Sequence, residues 1–106
     1  MPDIRIGEFA VDPSLHTVSG PSHTVRVEHK VMLVLLCLAE HRNQVVSKER
    51  LMRAAWPDTF VSDDVLTRAI SELRRAFDDS VRDSRFIQTI PKSGYRLIAP
   101  VCQTEP

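Results

Sequence analysis

The sequence has few of the residues that mark several large classes of protein. Its two cysteines, Cys37 and Cys102, are too few for a disulfide framework. Its three glycines do not form a glycine-rich phosphate-binding loop. The longest apolar run, 31–39, is far shorter than the roughly 20 residues that a membrane-spanning helix needs. The first residues, MPDIRIGEF, lack the apolar segment of a signal peptide. We therefore expect neither secretion nor membrane contact by this chain.

Signs of catalysis and of metal binding are also scarce. The adjacent carboxylates Asp63-Asp64 and Asp78-Asp79 lie at predicted helix ends, where neighbours point about 100° apart and cannot act as an acid/base pair. No nucleophile motif such as G-x-S-x-G occurs. The histidines lack the short spacing of a zinc site; they are His16, His23, His29 and His41. The sequence predicts no enzyme, no cofactor and no metal site.

Net charge is zero, from 14 basic and 14 acidic residues. This balance opposes nonspecific binding of a polyanion, but local basic surfaces remain. The segment 84–104 carries Arg85, Lys92 and Arg96 and no acid. The segment 65–77 carries three arginines against the single acid Glu72. Its length of 106 residues predicts one domain.

The first half of the chain reads as strands followed by two helices. Residues 1–27 contain the β-rich runs IRI, FAV and VRV, separated by turn signals, and predict an antiparallel sheet. A helix is expected from Glu28 to about His41, with an apolar middle that should be buried. Ser47 is the expected N-cap of a second helix, which Trp56-Pro57 ends. The loop 57–61 follows.

The third helix, about 62–78, gives the clearest signal. Ser62 is its expected N-cap, and two acids occupy the first turn, where the helix dipole favours them. One stripe of period 3.6 is apolar: Val65, Leu66, Ala69, Ile70, Leu73, Ala76 and Phe77. The opposite face carries Asp64, Thr67, Arg68, Ser71, Arg75 and Asp78. This pattern predicts an amphipathic helix with arginines pointing outward.

The last third of the chain reads as a basic hairpin and a tail. RFIQTI and YRLIAPV flank the turn PKSG, which predicts a β-hairpin over about 86–99 with Lys92 and Arg96 near its tip. Residues 100–106 are expected to form a tail or linker. Together the elements predict an α+β winged helix-turn-helix, with an N-terminal antiparallel sheet (1–27), a three-helix core and a C-terminal hairpin wing (28–99). In such a fold the second helix of the motif enters the major groove of DNA.

The quoted stretches also resemble a known family. VSDDVLTRAISELRRAF and FIQTIPKSGYRLIAPV, supported by VVSKERLMRAAWPDTFV, look like the OmpR/PhoB-type winged-helix effector domain. The resemblance is strongest to the subclass of CadC- and ToxR-like transcriptional activators, and it covers nearly the whole chain. It implies a four-stranded N-terminal sheet, three helices, a wing and sequence-specific binding to double-stranded promoter DNA in the cytoplasm.

The candidate DNA-binding residues follow from both lines of argument. Arg68, helped by Thr67 and Ser71, is the predicted reader of base edges. Arg74 and Arg75 are predicted phosphate contacts. On the wing the candidates are Lys92, Ser93, Tyr95 and Arg96; Tyr95 serves equally well as a core anchor. Trp56 and Phe60 are expected in the core.

Two further questions concern partners. The acids Asp64 and Glu72 on the third helix, together with zero net charge, suit an alternative in which the winged helix binds another protein. In some relatives the loop 57–61 meets RNA polymerase. The resemblance also implies a C-terminal sensor region that these 106 residues do not include, and, if Met1 is the natural start, no receiver domain before the winged helix. The chain would then be the cytoplasmic part of a membrane-anchored regulator.

Overall fold

A computed structural model describes residues 4–103 of the chain. The first sheet contains five antiparallel strands in the order β4-β3-β2-β1-β8. These strands are β1 (Ile4–Ile6), β2 (Phe9–Asp12), β3 (Thr17–Ser19), β4 (Thr24–Arg26) and β8 (Val101–Gln103). Because its last strand pairs with its first, this sheet joins the two ends of the described chain.

Three helices follow the first four strands. They are α1 (His29–Glu40), α2 (Lys48–Ala55) and α3 (Asp63–Ala76). The central helix α1 packs against both of the others, and its apolar middle is buried as the sequence predicts. None of the helices within residues 4–103 combines the length and the apolar character that crossing a bilayer requires.

A second sheet carries the wing. It consists of β5 (Val45–Ser47), β6 (Ile87–Ile90) and β7 (Gly94–Leu97), in the order β5-β7-β6. Strands β6 and β7 form the predicted hairpin, with Thr89 opposite Tyr95. Strand β5 pairs with the other side of β7 and ends at Ser47, which is also the N-cap of α2. The wing is therefore joined directly to the start of the helix-turn-helix.

An aromatic cluster connects the two sheets with α3. The rings of Phe77 and Phe86 stack with centroids 4.9 Å apart. Phe9 meets both of them edge-on at 5.2 and 5.4 Å. Such pairs contribute about 0.5–1.5 kcal/mol beyond the burial of their area. The end of α3 and the start of β6 are thus held against the first sheet.

The structure differs from several sequence-based expectations about the fold. The expected tail from Pro100 is wrong over Val101–Gln103, because these residues extend the first sheet as β8. Phe60, expected in the core, is fully exposed in the loop between α2 and α3. Ser62 stands at the N-cap of α3 as predicted, but its side chain makes no capping hydrogen bond. The Ser47 hydroxyl does accept from the Arg50 amide at 3.1 Å.

Candidate nucleic-acid interface

The outer face of α3 presents four of the predicted side chains to solvent: Thr67, Arg68, Ser71 and Arg75. Two of them are fixed by the helix itself. The Thr67 hydroxyl donates to the Asp63 carbonyl and the Ser71 hydroxyl to the Thr67 carbonyl, each at 3.1 Å. Because these hydroxyl protons are engaged, the oxygens are left as acceptors. They suit the amino groups of adenine or cytosine, which are donors in the major groove.

Arg68 lies beside a small cleft between α3 and the start of α1. The cleft measures about 180 Å³, and its apolar floor includes Trp56 and Val65. Its charged lining consists of Glu28, Lys30, Arg68 and Glu72. Two acidic and two basic residues therefore line this cleft, and their formal charges balance. The sequence did not indicate that residues at the start of α1 line this cleft, because they lie about 40 residues before those of α3.

Arg74 does not lie on this face. Its side chain is 9% exposed, and its Nη2 atom donates to the Ile87 carbonyl at 3.0 Å and to Thr89 Oγ1 at 2.7 Å. The sequence-based assignment of Arg74 as a phosphate contact is therefore corrected. The wing covers this flank of α3, and its strand β6 accepts both hydrogen bonds from the guanidinium. Arg74 is a positioning residue between the recognition helix and the wing.

The tip of the wing consists of exposed residues. Lys92 and Ser93 are both exposed, and the Ser93 amide donates to the Ile90 carbonyl at 3.0 Å to close the turn. Lys92 adopts a left-handed backbone with φ of 66°, a conformation that most side chains avoid. The turn thus holds one positive charge at the most distant point of the hairpin.

The two remaining wing candidates lie below the tip. Tyr95 is only 5% exposed, so it packs in the core and the assignment of its ring to DNA is corrected. Arg96 lies in the middle of β7, opposite Gln88 on one side and Val45 on the other, and is half-buried. Its Nε atom is buried without a partner, as is Gln88 Oε1. Arg96 is therefore less available than Lys92.

The root of the wing depends on a carboxylate for which the sequence indicated no structural role. Asp79 Oδ1 accepts from the Arg85 amide at 2.8 Å. Its Oδ2 accepts from the Phe86 and Ile87 amides at 3.2 and 3.0 Å. One side chain after α3 thereby satisfies three backbone donors where β6 begins. The nearest sequence signal is an aspartate in a polar loop, which is too common to identify this role.

The loop 57–61 presents an apolar side chain to solvent. Phe60 is the most exposed large hydrophobic residue in the described chain, whereas Trp56, four residues earlier, packs against the core. Phe60 lies between Thr59 and Val61, and its ring is available to a partner on this side of the domain. Within residues 4–103, no three histidine, cysteine, aspartate or glutamate side chains cluster as a metal site.

Comparison with known proteins agrees with this geometry. The sequence profile described as "Transcriptional regulatory protein, C terminal" matches residues 22–97. The chain is 36% identical over 101 residues to the transcriptional activator CadC of Escherichia coli (strain K12), covering 94% of this chain and 20% of CadC. It is 34% identical over 103 residues to the cholera toxin homolog transcriptional activator of Vibrio parahaemolyticus, covering 92% of this chain and 35% of that protein.

Among solved structures, the DNA-binding domain of E. coli CadC superposes with a TM-score of 0.86 at 32% identity. That match covers 98% of each chain, so it extends over both sheets and all three helices. By contrast, the chain spans about a fifth to a third of the length of the two activators. The chain belongs to the family of C-terminal domains of transcriptional regulatory proteins, with the winged-helix fold of the OmpR/PhoB type.

Proposed function

We propose that this domain binds double-stranded promoter DNA sequence-specifically, with α3 in the major groove and the wing on the backbone or the adjacent minor groove. The observation that carries the proposal is the outer face of α3. Thr67, Arg68, Ser71 and Arg75 are exposed there together, and Arg74 holds the wing beside them.

Within the interface we assign distinct roles to the exposed residues. Arg68 reads a base edge, since a guanidinium bonds bidentately to guanine, and Thr67 and Ser71 accept from neighbouring amino groups. Arg75 and Lys92 neutralise phosphates, which position the domain without specifying sequence. Ser93 lies beside Lys92 and offers its hydroxyl as a hydrogen-bond donor to the DNA backbone. Arg96, farther from the tip of the wing, contributes positive charge.

Salt dependence tests the proposal against a protein-binding winged helix. Each phosphate neutralised contributes about −0.9 to the slope of log affinity against log salt, so the two to three contacts of Arg75, Lys92 and Arg96 give about −2 to −3. The measurement is fluorescence anisotropy on a selected site and on random duplex, from about 50 to 300 mM salt. A flat dependence, or no duplex binding by the folded domain at the lowest salt, would favour the protein-binding alternative.

Base readout is tested with Arg68→Ala. The matched control is Arg75→Ala, seven residues further along the same helix face. Loss of Arg68 should cost about 1–3 kcal/mol on the preferred site and relax selection at one or two base pairs. Loss of Arg75 should weaken specific and random duplex by a similar factor. If Arg68→Ala keeps the full base preference in a site-selection assay, its assignment is wrong.

We propose a second role for the loop 57–61, as a contact for RNA polymerase. The supporting observation is the fully exposed Phe60, because aromatic side chains, phenylalanine among them, are enriched at protein interfaces. Phe60→Ser should leave DNA affinity unchanged and reduce transcription in a reconstituted assay. Normal transcription by this variant would contradict the assignment.

We further propose that the domain acts in the cytoplasm, under the control of a sensor region of the whole regulator.

A further inference from the structure

Two histidines from separate elements meet on the surface at the start of α1. His16 ends the turn between β2 and β3, and His29 is the first residue of α1. His29 Nδ1 and His16 Nε2 lie 3.3 Å apart, and the ring centroids lie 5.2 Å apart. The residues are 13 positions apart in the chain, so no short motif in the sequence indicates the pair.

The backbone around the pair is tied down on both sides. The His16 carbonyl accepts from the Val27 amide at 2.8 Å, which fixes the turn to the segment just before α1. Within the turn, Asp12 Oδ1 accepts from the Ser14 amide at 3.0 Å and the Leu15 amide at 3.3 Å. Because both imidazoles project from fixed backbone, little conformational entropy is lost when a ligand joins them.

The spacing of the two nitrogens suits a metal ion. Zinc binds imidazole nitrogen at about 2.0–2.1 Å in a tetrahedral arrangement, which places neighbouring ligand nitrogens about 3.3–3.4 Å apart. The rings now share a hydrogen bond, so each must tilt by roughly 40° to direct its lone pair at a common ion. His29 is exposed, which allows this rotation and lets an ion enter.

We propose that His16 and His29 chelate one divalent transition metal ion of the zinc type, with water in the remaining positions. Imidazole ligands select zinc, copper and nickel over magnesium or calcium, which prefer oxygen. With two protein ligands the site is weaker than a structural zinc site of four. Its effect is to connect the β2–β3 turn to α1, so the bound ion stabilises the native state.

Calorimetric titration with zinc chloride tests the site. All proteins carry Cys102→Ser, because an exposed cysteine could compete for zinc, and they carry no histidine tag. The expected result is one zinc ion per chain and a melting temperature that rises with zinc until the site is saturated. His29→Gln and His16→Asn should each lower the affinity at least tenfold, since even the loss of an outer-shell partner costs about 10–100-fold.

The controls separate a chelate from scattered surface binding. Asparagine at position 16 tolerates the left-handed backbone there, where φ is 57°, and His29→Gln changes an exposed helix residue. His23→Gln removes another exposed histidine and should bind zinc as the parent does. Absence of binding by the parent, or equal affinity in His23→Gln and His29→Gln, would overturn the proposal.

Discussion

Arg74 on α3 donates a hydrogen bond of 2.7 Å to Thr89 on the wing. A second hydrogen bond joins the same nitrogen to the Ile87 carbonyl at 3.0 Å. Both partners lie on β6, so the last turn of α3 and the first strand of the wing are fixed to each other by a single side chain. Hydrogen bonds to a charged donor contribute about 1.5–3 kcal/mol each when they are well formed. The relative placement of helix and wing is therefore set before DNA arrives.

Arg74→Met should destabilise the domain and displace the wing without removing a phosphate contact. Methionine fills much of the same space but leaves the Ile87 carbonyl without its charged donor, which costs about 1–3 kcal/mol. We expect lower DNA affinity with an unchanged salt slope. Urea unfolding and salt-dependent anisotropy measure the two effects.

Arg75→Ala is the matched control for that variant, because the two arginines are adjacent and only Arg75 is exposed. Its stability should stay within about 0.5 kcal/mol of the parent. Its salt slope should become shallower by about 1. A shallower slope for Arg74→Met would show that Arg74 contacts a phosphate after all.

Gly94→Ala should prevent the wing from pairing with β5. A Cβ atom at position 94 would overlap the Val46 carbonyl oxygen, and the backbone there has φ of 150°. The clash is with backbone and cannot be relieved by rotating a side chain. We expect a loss of stability larger than the typical 0.5–1 kcal/mol effects of glycine substitution, measured by chemical unfolding. Lys92→Gly, at the other positive-φ position of the hairpin, should be neutral or stabilising.

Asp79→Asn should loosen the root of the wing. An amide keeps one acceptor oxygen in place of the two that now receive three backbone donors. The expected cost is about 1–3 kcal/mol, since at least one part-buried N–H loses its partner. Amide hydrogen exchange should rise first at Phe86 and Ile87. Asp83→Asn, in the same loop and exposed, is the control and should leave exchange unchanged.

The two thiols should react at different rates. Burial, followed by the neighbouring Glu40 charge, raises the pKa of the Cys37 thiol, so little nucleophilic thiolate forms there near neutral pH. Cys102 is exposed. Treatment of the native domain with a thiol reagent should label one cysteine rapidly, and Cys102→Ser should abolish that phase. Rapid labelling of Cys37 would indicate that α1 opens locally.

Long periodic patterns and β-rich runs between turn signals predicted most of the fold, whereas strands β5 and β8 were not predicted. The stripe from Val65 to Phe77 identified α3 within two residues at each end, because seven apolar residues on one face leave no other arrangement. Strands β5 and β8 have three residues each. A run of that length carries no periodicity, and its pairing partner lies far away in the chain.

The predicted interface likewise contains residues whose exposure the sequence indicates and one, Arg74, whose burial it does not. The exposed face of α3 follows from helix geometry alone, so Thr67, Arg68, Ser71 and Arg75 lie where the pattern indicates. Arg74 occupies the flank of the helix, and whether a flank is open depends on which strand folds over it. That depends on contacts between residues distant in the sequence, and in this fold the wing strand β6 covers the flank.

The pairing of Ser47 with Gly94 has a consequence for how such wings vary in length. This contact fixes the first residue of β7, directly after the turn, to the N-cap of α2. Residues added symmetrically around Lys92 would extend the hairpin outward by about 3.3 Å per added pair and keep the existing register. An odd insertion would instead leave one residue without a cross-strand partner, to be accommodated as a bulge or a longer turn. The reach of the wing is thus adjustable in even steps, independently of the helices.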